Sequence, residues 1–509
     1  MNVKTILQAF GMPKKLSSAQ LFPLCRFPES CFSIFKAAII LAGAIGSGLV
    51  TSSAAAEVTK PGAVDAQARI QELERQMQQM SEQLKAVQAQ LARSALNDAQ
   101  HDAELDKALA KPTVVAKPAS GSPVEASFKN GLVLRDATGD WSLRLYTRAQ
   151  LDYRNFSPDK IAADTFSMRR ARIGVFANFY EDFTLRIEGE YSEATTKMND
   201  GYLDYTHFKP AMVRVGQFKT MHGLERSQGA MDINFMERAM TESLLGNVFD
   251  RGIMLHGAPL KGVYYNLAYV NGTGPNVDES NAITDGKDWS LRAVGNIAQW
   301  ADWKDSVVHV GGFHSQGKQA AGALVPKLRT EGRGVEFFKV ADVTSDTDRT
   351  LNGLESAVAY GPVKYQGEYI RANFDGANFN RDMSAWYASL QWLVTGEQYA
   401  GMYKNGAFGG IVPKSNFRYG NGGWGALEVG ARYTHFDASD FVVANNEGTG
   451  KLAAGSANEA NAWTLGAKWV LNPNAQIQLN YVRTDFDTPI TASNIDHEDA
   501  MNMRVQFDF

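Results

Sequence analysis

Cysteine is nearly absent from this chain of 509 residues. Its only two cysteines, Cys25 and Cys31, lie near the N terminus, just before an apolar run from Ala37 to Val50. Basic residues precede this run and small residues follow it, a pattern that is typical of a secretory signal peptide. We predict a signal peptide over residues 1–56. Its removal leaves a mature chain without thiols, which excludes disulfide and cysteine chemistry.

Long apolar runs are also missing after the signal, so no helix of about 20 apolar residues is expected to span a membrane. Apolar and polar residues alternate instead. In the last ten residues, Met501, Met503, Val505, Phe507 and Phe509 alternate with polar side chains, so an extended strand has one apolar and one polar face. A transmembrane barrel strand needs only about ten such residues. The sequence therefore predicts an all-β fold, a transmembrane antiparallel β-barrel.

Long polar segments and short turns alternate along the rest of the chain. Eight long connections and seven turns separate about sixteen strands, an even number, as single-chain bacterial barrels require. The segment from Phe218 to Asp250 is too apolar for a solvated loop. We expect it to fold into the barrel and narrow the pore. The alternative is a surface loop that contacts a neighbouring subunit.

An excess of positive charge is lacking as well. Removal of the signal leaves 46 basic and 54 acidic residues, a net charge of -8, which gives no support for a nucleic-acid partner. The eight histidines show no metal-ligand spacing, and neither a Ser/His/acid pattern nor a Gly-rich phosphate loop is found. We predict no enzyme activity, no cofactor and no metal site.

A heptad pattern precedes the strands. Apolar residues recur at alternating spacings of three and four from Ile70 to Leu91, which predicts a coiled-coil helix within residues 57–110. The alternative is one amphipathic helix docked on its own barrel. Residues 111–126 are rich in Pro and Ser and are predicted to be a linker. The barrel is expected over residues 127–509, with the coiled coil in the periplasm, where it could contact the cell wall.

The inward face of the predicted barrel carries more basic than acidic residues. Low-dielectric walls focus the field of such residues on passing ions, so an excess of arginine favours anions. The alternative is that these residues pair with inward carboxylates and only brace the lumen. The predicted anion pathway consists of Arg144, Arg148, Arg170, Arg172, Arg186, Arg214, Lys219, Arg226, Arg238, Arg292, Arg432, Lys468 and Arg504.

Several segments resemble the phosphate-selective porins O and P. They are SMRRARIGVFANFYEDF (167–183), VRVGQFKTMHGLERS (213–227), ASLQWLVTGEQY (388–399), GGWGALEVGARYTHFD (422–437), WVLNPNAQIQLNYVRT (469–484) and the terminal RVQFDF. The resemblance implies a homotrimeric outer-membrane channel, in which the inward Arg and Lys residues and the third loop of each sixteen-stranded subunit select anions.

The sequence thus predicts an outer-membrane porin of a Gram-negative bacterium, in contact with lipid, through which small anions diffuse passively. Phosphate or polyphosphate is the expected solute class. Two alternatives remain: a general non-selective porin, or a mainly structural envelope protein anchored through its coiled coil.

Overall fold

The structure is a computed structural model. It describes residues 124–128, 131–159, 161–192, 196–276, 286–320, 328–341, 343–420, 422–443, 449–490 and 494–509. The predicted signal peptide and coiled coil, and residues 111–123 of the predicted linker, lie outside the described residues. Those predictions therefore stay predictions.

Sixteen strands form one antiparallel sheet. They are β1 (Trp141–Ser157), β2 (Thr165–Phe179), β3 (Phe183–Glu190), β4 (Lys197–Tyr205), β5 (Met212–Lys219), β6 (Phe249–Gly257), β7 (Val263–Val270), β8 (Asp288–Asn296), β9 (Ser306–Gln319), β10 (Thr347–Tyr360), β11 (Val363–Gly376), β12 (Phe379–Leu393), β13 (Ala426–Asp437), β14 (Glu459–Asn472), β15 (Ala475–Ile490) and β16 (Ile495–Asp508). Each strand pairs with the next along the chain.

The last strand closes the sheet on the first. Arg504 of β16 lies opposite Asp152 of β1, and Phe509 exchanges two backbone hydrogen bonds with Thr147. Closure leaves no edge between β1 and β16 over this stretch, as a barrel requires. The prediction of a sixteen-stranded antiparallel barrel is confirmed.

The barrel wall has two chemically different faces. On β10, Leu354, Val358 and Tyr360 are exposed on the outside, whereas Glu355 and Ala357 are buried on the inside. This alternation follows from the period of two in an extended chain. An outer surface of exposed aliphatic and aromatic side chains suits contact with lipid rather than water.

A short hairpin precedes the barrel. Its strands, Val124–Phe128 and Leu132–Asp136, pair with each other, and the second pairs with the start of β1. The hairpin thus begins within the segment that the sequence predicts to be a linker. Its five N-terminal residues are all exposed, so it has no buried face for a sequence pattern to reveal.

The connections fall into two sets, one at each end of the barrel. At the loop end, residues 220–248 form the longest described connection, called loop 3 below. One connection predicted to be long, near residues 374–380, is instead a tight turn, because β11 and β12 extend through its polar ends. Near residues 485–498, where a long connection is also predicted, β15 extends to Ile490 and β16 begins at Ile495. Polar residues at the end of a strand remain solvated there, so composition alone does not distinguish a strand extension from a loop.

Three segments fold into the barrel. Loop 3 contains the short helices α1 (Leu224–Ser227) and α2 (Thr241–Leu244). From the loop end also comes a segment with the paired strands Leu328–Arg329 and Glu336–Phe338. From the opposite end, called the turn end, comes the connection of residues 394–425, which carries the 3-10 helix Tyr399–Met402 and the paired strands Tyr403–Lys404 and Ala407–Phe408.

The apolar residues of loop 3 are buried inside the barrel, as predicted. Met240, Leu244 and Leu245 pack in a cluster with Phe337 and Phe338. This internal burial accounts for the apolar composition of the loop without a neighbouring subunit.

Other short elements belong to the remaining described connections. They are the helix Ile297–Trp300 between β8 and β9, the 3-10 helix Ser439–Phe441, and the paired strands Val340–Ala341 and Lys451–Leu452. Within the described residues, no helix has both the length and the apolar character needed to cross a bilayer.

Candidate functional site

A polar cavity of about 810 Å³ lies between loop 3 and the inner wall of β1 to β6. The wall contributes inward residues of alternating strand positions, and loop 3 contributes Asp232, Glu237, Arg238 and Glu242. Loop 3 can form the opposite wall because its apolar side is buried against the remaining strands, which turns its polar side toward the cavity.

Basic residues outnumber acidic residues around this cavity. The eleven basic residues are Arg148, Arg169, Arg170, Arg172, Arg186, Lys197, Arg214, Lys219, Arg238, Arg329 and Arg333. The seven acidic residues are Glu188, Glu190, Asp200, Asp232, Glu237, Glu242 and Glu331. The lining therefore has a formal excess of four positive charges in a chain whose net charge is negative.

Seven of the thirteen residues predicted from the sequence line the cavity. They are Arg148, Arg170, Arg172, Arg186, Arg214, Lys219 and Arg238. Several share one carboxylate: Arg186 and Arg172 contact Glu188 at 2.9 and 3.1 Å, and Arg148 approaches it at 3.7 Å. Each of the three also has a carboxylate of its own, Glu190 for Arg172, Asp200 for Arg186 and Asp508 for Arg148. The positive excess of the cavity therefore comes from its lining as a whole and not from this group alone.

Arg144 lies away from the cavity lining. Its guanidinium carbon stands 5.4 Å from the ring centre of Phe176 and 5.5 Å from that of Tyr146. Stacking on rings satisfies the flat faces of the group and leaves its edge donors unused.

The remaining five predicted residues are buried away from the cavity, one on loop 3 itself and four on the wall. They are Arg226, Arg292, Arg432, Lys468 and Arg504. Arg292 forms a two-point contact with Glu355, and Arg432 binds Glu331 and Glu225. Lys468 donates to the carbonyl of Ile233 on loop 3. The four wall cations thus attach loop 3 and the other inserted segments to the wall, and Arg226 binds groups within loop 3, which corresponds to the bracing alternative.

Arg169 is a cavity residue that the alternation did not predict. Gln150 pairs with Arg170, and the next residue, Leu151, pairs with Met168. Arg169 is therefore the extra residue of a β-bulge, and the bulge turns an outward position inward. The signal in the sequence was the pair of adjacent arginines, since strict alternation would leave one of them facing lipid.

Arg169 and three other arginines surround Glu237 of loop 3. Arg169 donates to both carboxylate oxygens at 2.8 and 3.0 Å. Arg154 and Arg504 donate to Oε1 at 2.8 and 3.0 Å, and Arg333 Nη1 lies 3.8 Å from Oε2. Burial acts to raise the pKa of Glu237, but these four cations outweigh it and hold that pKa well below its usual range.

The described residues contain no cluster of three or more His, Cys, Asp or Glu side chains that could hold a metal ion. The cavity is lined by charged side chains that can act on a ligand through electrostatics and hydrogen bonding.

Comparison with known proteins gives two kinds of similarity. The chain is 25% identical over 423 residues to Porin O of Pseudomonas aeruginosa, an alignment that covers 76% of this chain and 93% of that protein. Among solved structures, OmpT, an outer membrane protein of Vibrio cholerae, has a TM-score of 0.46 at 14% identity, with 73% of this chain and 98% of that chain covered. The outer membrane channel DcaP of Acinetobacter baumannii has a TM-score of 0.44 at 11% identity, with coverages of 74% and 99%.

The family model described as phosphate-selective porin O and P matches residues 143–509, which is the whole barrel apart from its first two residues. The match agrees with the closed sixteen-stranded barrel and with the resemblance of the sequence segments. The chain therefore belongs to the phosphate-selective porin O and P family and is an outer-membrane porin.

Proposed function

We propose that the protein forms a water-filled channel through which small anions diffuse passively across the outer membrane. The observation that carries the proposal is the excess of four positive charges around the cavity. In a confined space with low-dielectric walls, such an excess raises the local concentration of anions above that of cations. Loop 3 narrows the lumen, so that every passing ion comes close to these charges.

Phosphate or polyphosphate is the proposed solute class. A guanidinium group presents two parallel donors that match two oxygens of one phosphate. Arg148, Arg172 and Arg186 lie close together around Glu188, so an anion can exchange one partner for the next without a deep energy minimum. The family description and the name of the Pseudomonas relative support the same class.

We also propose that the protein is a homotrimer, with the segment 57–110 as a periplasmic coiled coil that contacts the cell wall. The resemblance to the family supports the trimer, and the heptad pattern from Ile70 to Leu91 supports the coiled coil. In this arrangement the turn end of the barrel faces the periplasm.

Planar-bilayer recording with a KCl gradient tests the selectivity. We expect a zero-current potential of the sign given by chloride preference in the natural protein, and a smaller value in Arg186→Gln, because that variant removes one cavity charge. Glu188 keeps Arg172 and Arg148 as partners, whereas Asp200 loses its ion pair with Arg186.

Arg371→Gln is the matched control, since Arg371 pairs with Asp382 on the outside of the barrel and does not line the cavity. No ion preference in the natural protein would favour a general non-selective porin, and an unchanged potential in Arg186→Gln would contradict the part assigned to the cavity charge in selectivity. Absence of conductance would favour the structural role.

A further inference from the structure

Glu237 differs from the other carboxylates of loop 3 in the number of arginines around it. Three guanidinium groups, those of Arg154, Arg169 and Arg504, donate to its two oxygens over distances of 2.8 to 3.0 Å. A fourth, Arg333, approaches from the segment that enters beside loop 3. Arginines from three strands and from a second inserted segment thus converge on one anionic group.

The arginines around Glu237 are not fully neutralised by it. Asp152 is the second carboxylate of the group, and it accepts hydrogen bonds from Arg154 and Arg504. Four guanidinium groups therefore face two carboxylates, an excess of two positive charges. Arg170 adds a further charge nearby, because it donates to the amide oxygen of Gln150 and not to a carboxylate.

The four arginines fall into two classes. Arg154 and Arg504 are buried and are also held by Asp152. By contrast, the side chains of Arg169 and Arg333 are 23% and 36% exposed and line the cavity, and both hydrogen bonds of Arg169 go to Glu237. If the Glu237 carboxylate were neutral, the first pair would remain paired, whereas the second would present free donors to the cavity.

We propose that Glu237 is a specificity-determining residue that acts as an internal anion. Its carboxylate occupies the place that a phosphate-class oxyanion would take between Arg169 and Arg333, and so prevents that place from binding phosphate tightly. A carboxylate and a phosphate offer the same pair of acceptor oxygens to a guanidinium fork. Because Glu237 is tethered, an incoming anion must compete with it for these donors.

This competition shortens the time that an anion stays at the site. A site of four arginines would hold a multiply charged anion for a long time, and conduction requires that each site be weak enough to release its ion. Glu237 lowers the affinity at the place where arginines are most crowded. The inference rests on the proposed anion channel and specifies how one of its sites is kept weak.

The test is block of chloride current by inorganic phosphate in planar bilayers. We expect the phosphate concentration for half-block to fall about tenfold in Glu237→Gln, since charge-assisted hydrogen bonds to two arginines become available to phosphate. Asp232→Asn is the matched control. It removes one negative charge from the same loop and cavity, and the described contacts of Asp232 include no hydrogen bond or ion pair with an arginine.

The proposed anion channel and the proposed role of Glu237 predict different results. A natural protein without anion preference overturns the proposed function. The role of Glu237 is overturned if the natural protein prefers anions but Glu237→Gln and Asp232→Asn are equally sensitive to phosphate. The proposed function then still stands. The double variant Glu237→Gln/Arg169→Gln should lose most of the gained sensitivity, and an undiminished gain contradicts the assignment of Arg169.

Folding of each variant is checked by its mobility on unheated gels. Should Glu237→Gln fail to fold, Glu237→Asp keeps the charge but withdraws the carboxylate by one methylene. An intermediate rise in phosphate sensitivity is then expected, and no rise overturns the proposal.

Discussion

Arg226 and Arg238 lie twelve residues apart on loop 3 and have different surroundings. The Arg226 guanidinium is fully buried and donates to the backbone carbonyls of Leu245, Gly246 and Asn247. Arg238 lines the cavity and donates to the carbonyls of Glu225 and Gln228. Arg226 thus holds the return of loop 3 toward β6, whereas Arg238 also contributes charge to the lumen.

Alanine variants of Arg226 and Arg238 are expected to differ in their effects. Arg226→Ala leaves several buried carbonyls without donors, and removal of one buried hydrogen-bonding partner costs about 1 to 3 kcal/mol for each group left unpaired. We expect loop 3 to loosen, with faster protease cleavage within residues 220–248. Arg238→Ala should lower anion selectivity while cleavage stays slow. Equal cleavage rates in the two variants would contradict the bracing role of Arg226.

Single side chains show where sequence reasoning succeeds and where it stops. Alternation placed Arg148, Arg172 and Arg186 correctly on the inner face, because the period of two is a property of the strand itself. It did not find Arg169, since a bulge depends on the pairing of two strands. It also could not separate Arg226 from Arg238, because burial within loop 3 depends on how the loop packs.

The connection of residues 394–425 is an element that enters the lumen from the turn end. Tyr399 donates to the Glu428 carboxylate at 2.6 Å and packs with Phe408, Leu224 and Val307. The ammonium group of Lys364 lies 4.8 and 4.4 Å from the ring centres of Tyr399 and Phe408. This connection therefore touches loop 3 through Leu224, and the two segments support each other inside the barrel.

Removal of one ring should open this part of the lumen. Truncation of a buried aromatic residue to alanine costs about 3 to 5 kcal/mol. In Tyr399→Ala we therefore expect the connection to detach, with a larger single-channel conductance and faster cleavage within residues 400–411. Tyr419→Ala is the control, because Tyr419 is almost fully exposed. A conductance unchanged from that of the natural protein would show that the connection does not restrict the lumen.

At the level of elements, the sequence predicted loop 3 but not the other two inserted segments. The composition of loop 3 indicates its burial, because this one connection contains many large apolar residues, eight of which are buried between Leu224 and Leu245. The connection of residues 394–425 has a mixed composition with many glycines and polar residues, and only contacts such as Tyr399 with Glu428 reveal that it lies inside. Such contacts join residues far apart in sequence, and periodicity carries no information about them.

The barrel as a whole closes through strand pairings within residues 141–509. Deletion of residues 66–110 should therefore leave a folded channel. We expect the same single-channel conductance and the same mobility on unheated gels as for the natural protein. Loss of the folded form would show that the N-terminal segment is required for assembly.

Fold class and strand number followed from the sequence because a membrane barrel repeats one simple pattern sixteen times. The sequence predicted the charge of the lumen only in part. The inward Arg432, for example, is neutralised by Glu331 and Glu225, which lie on inserted segments, so its pairing depends on how those segments pack.

The hairpin before β1 has a consequence for how the barrel selects its strand register. Its second strand pairs with β1 from Ser142 to Leu145, and β16 pairs with β1 from Arg148 onward. The hairpin and β16 thus share one side of β1 end to end. A slide of β16 toward the turn end would run into the hairpin, so this small element acts as a mechanical stop. Because barrel diameter and strand tilt depend on the shear between first and last strands, the stop also helps to fix the width of the pore.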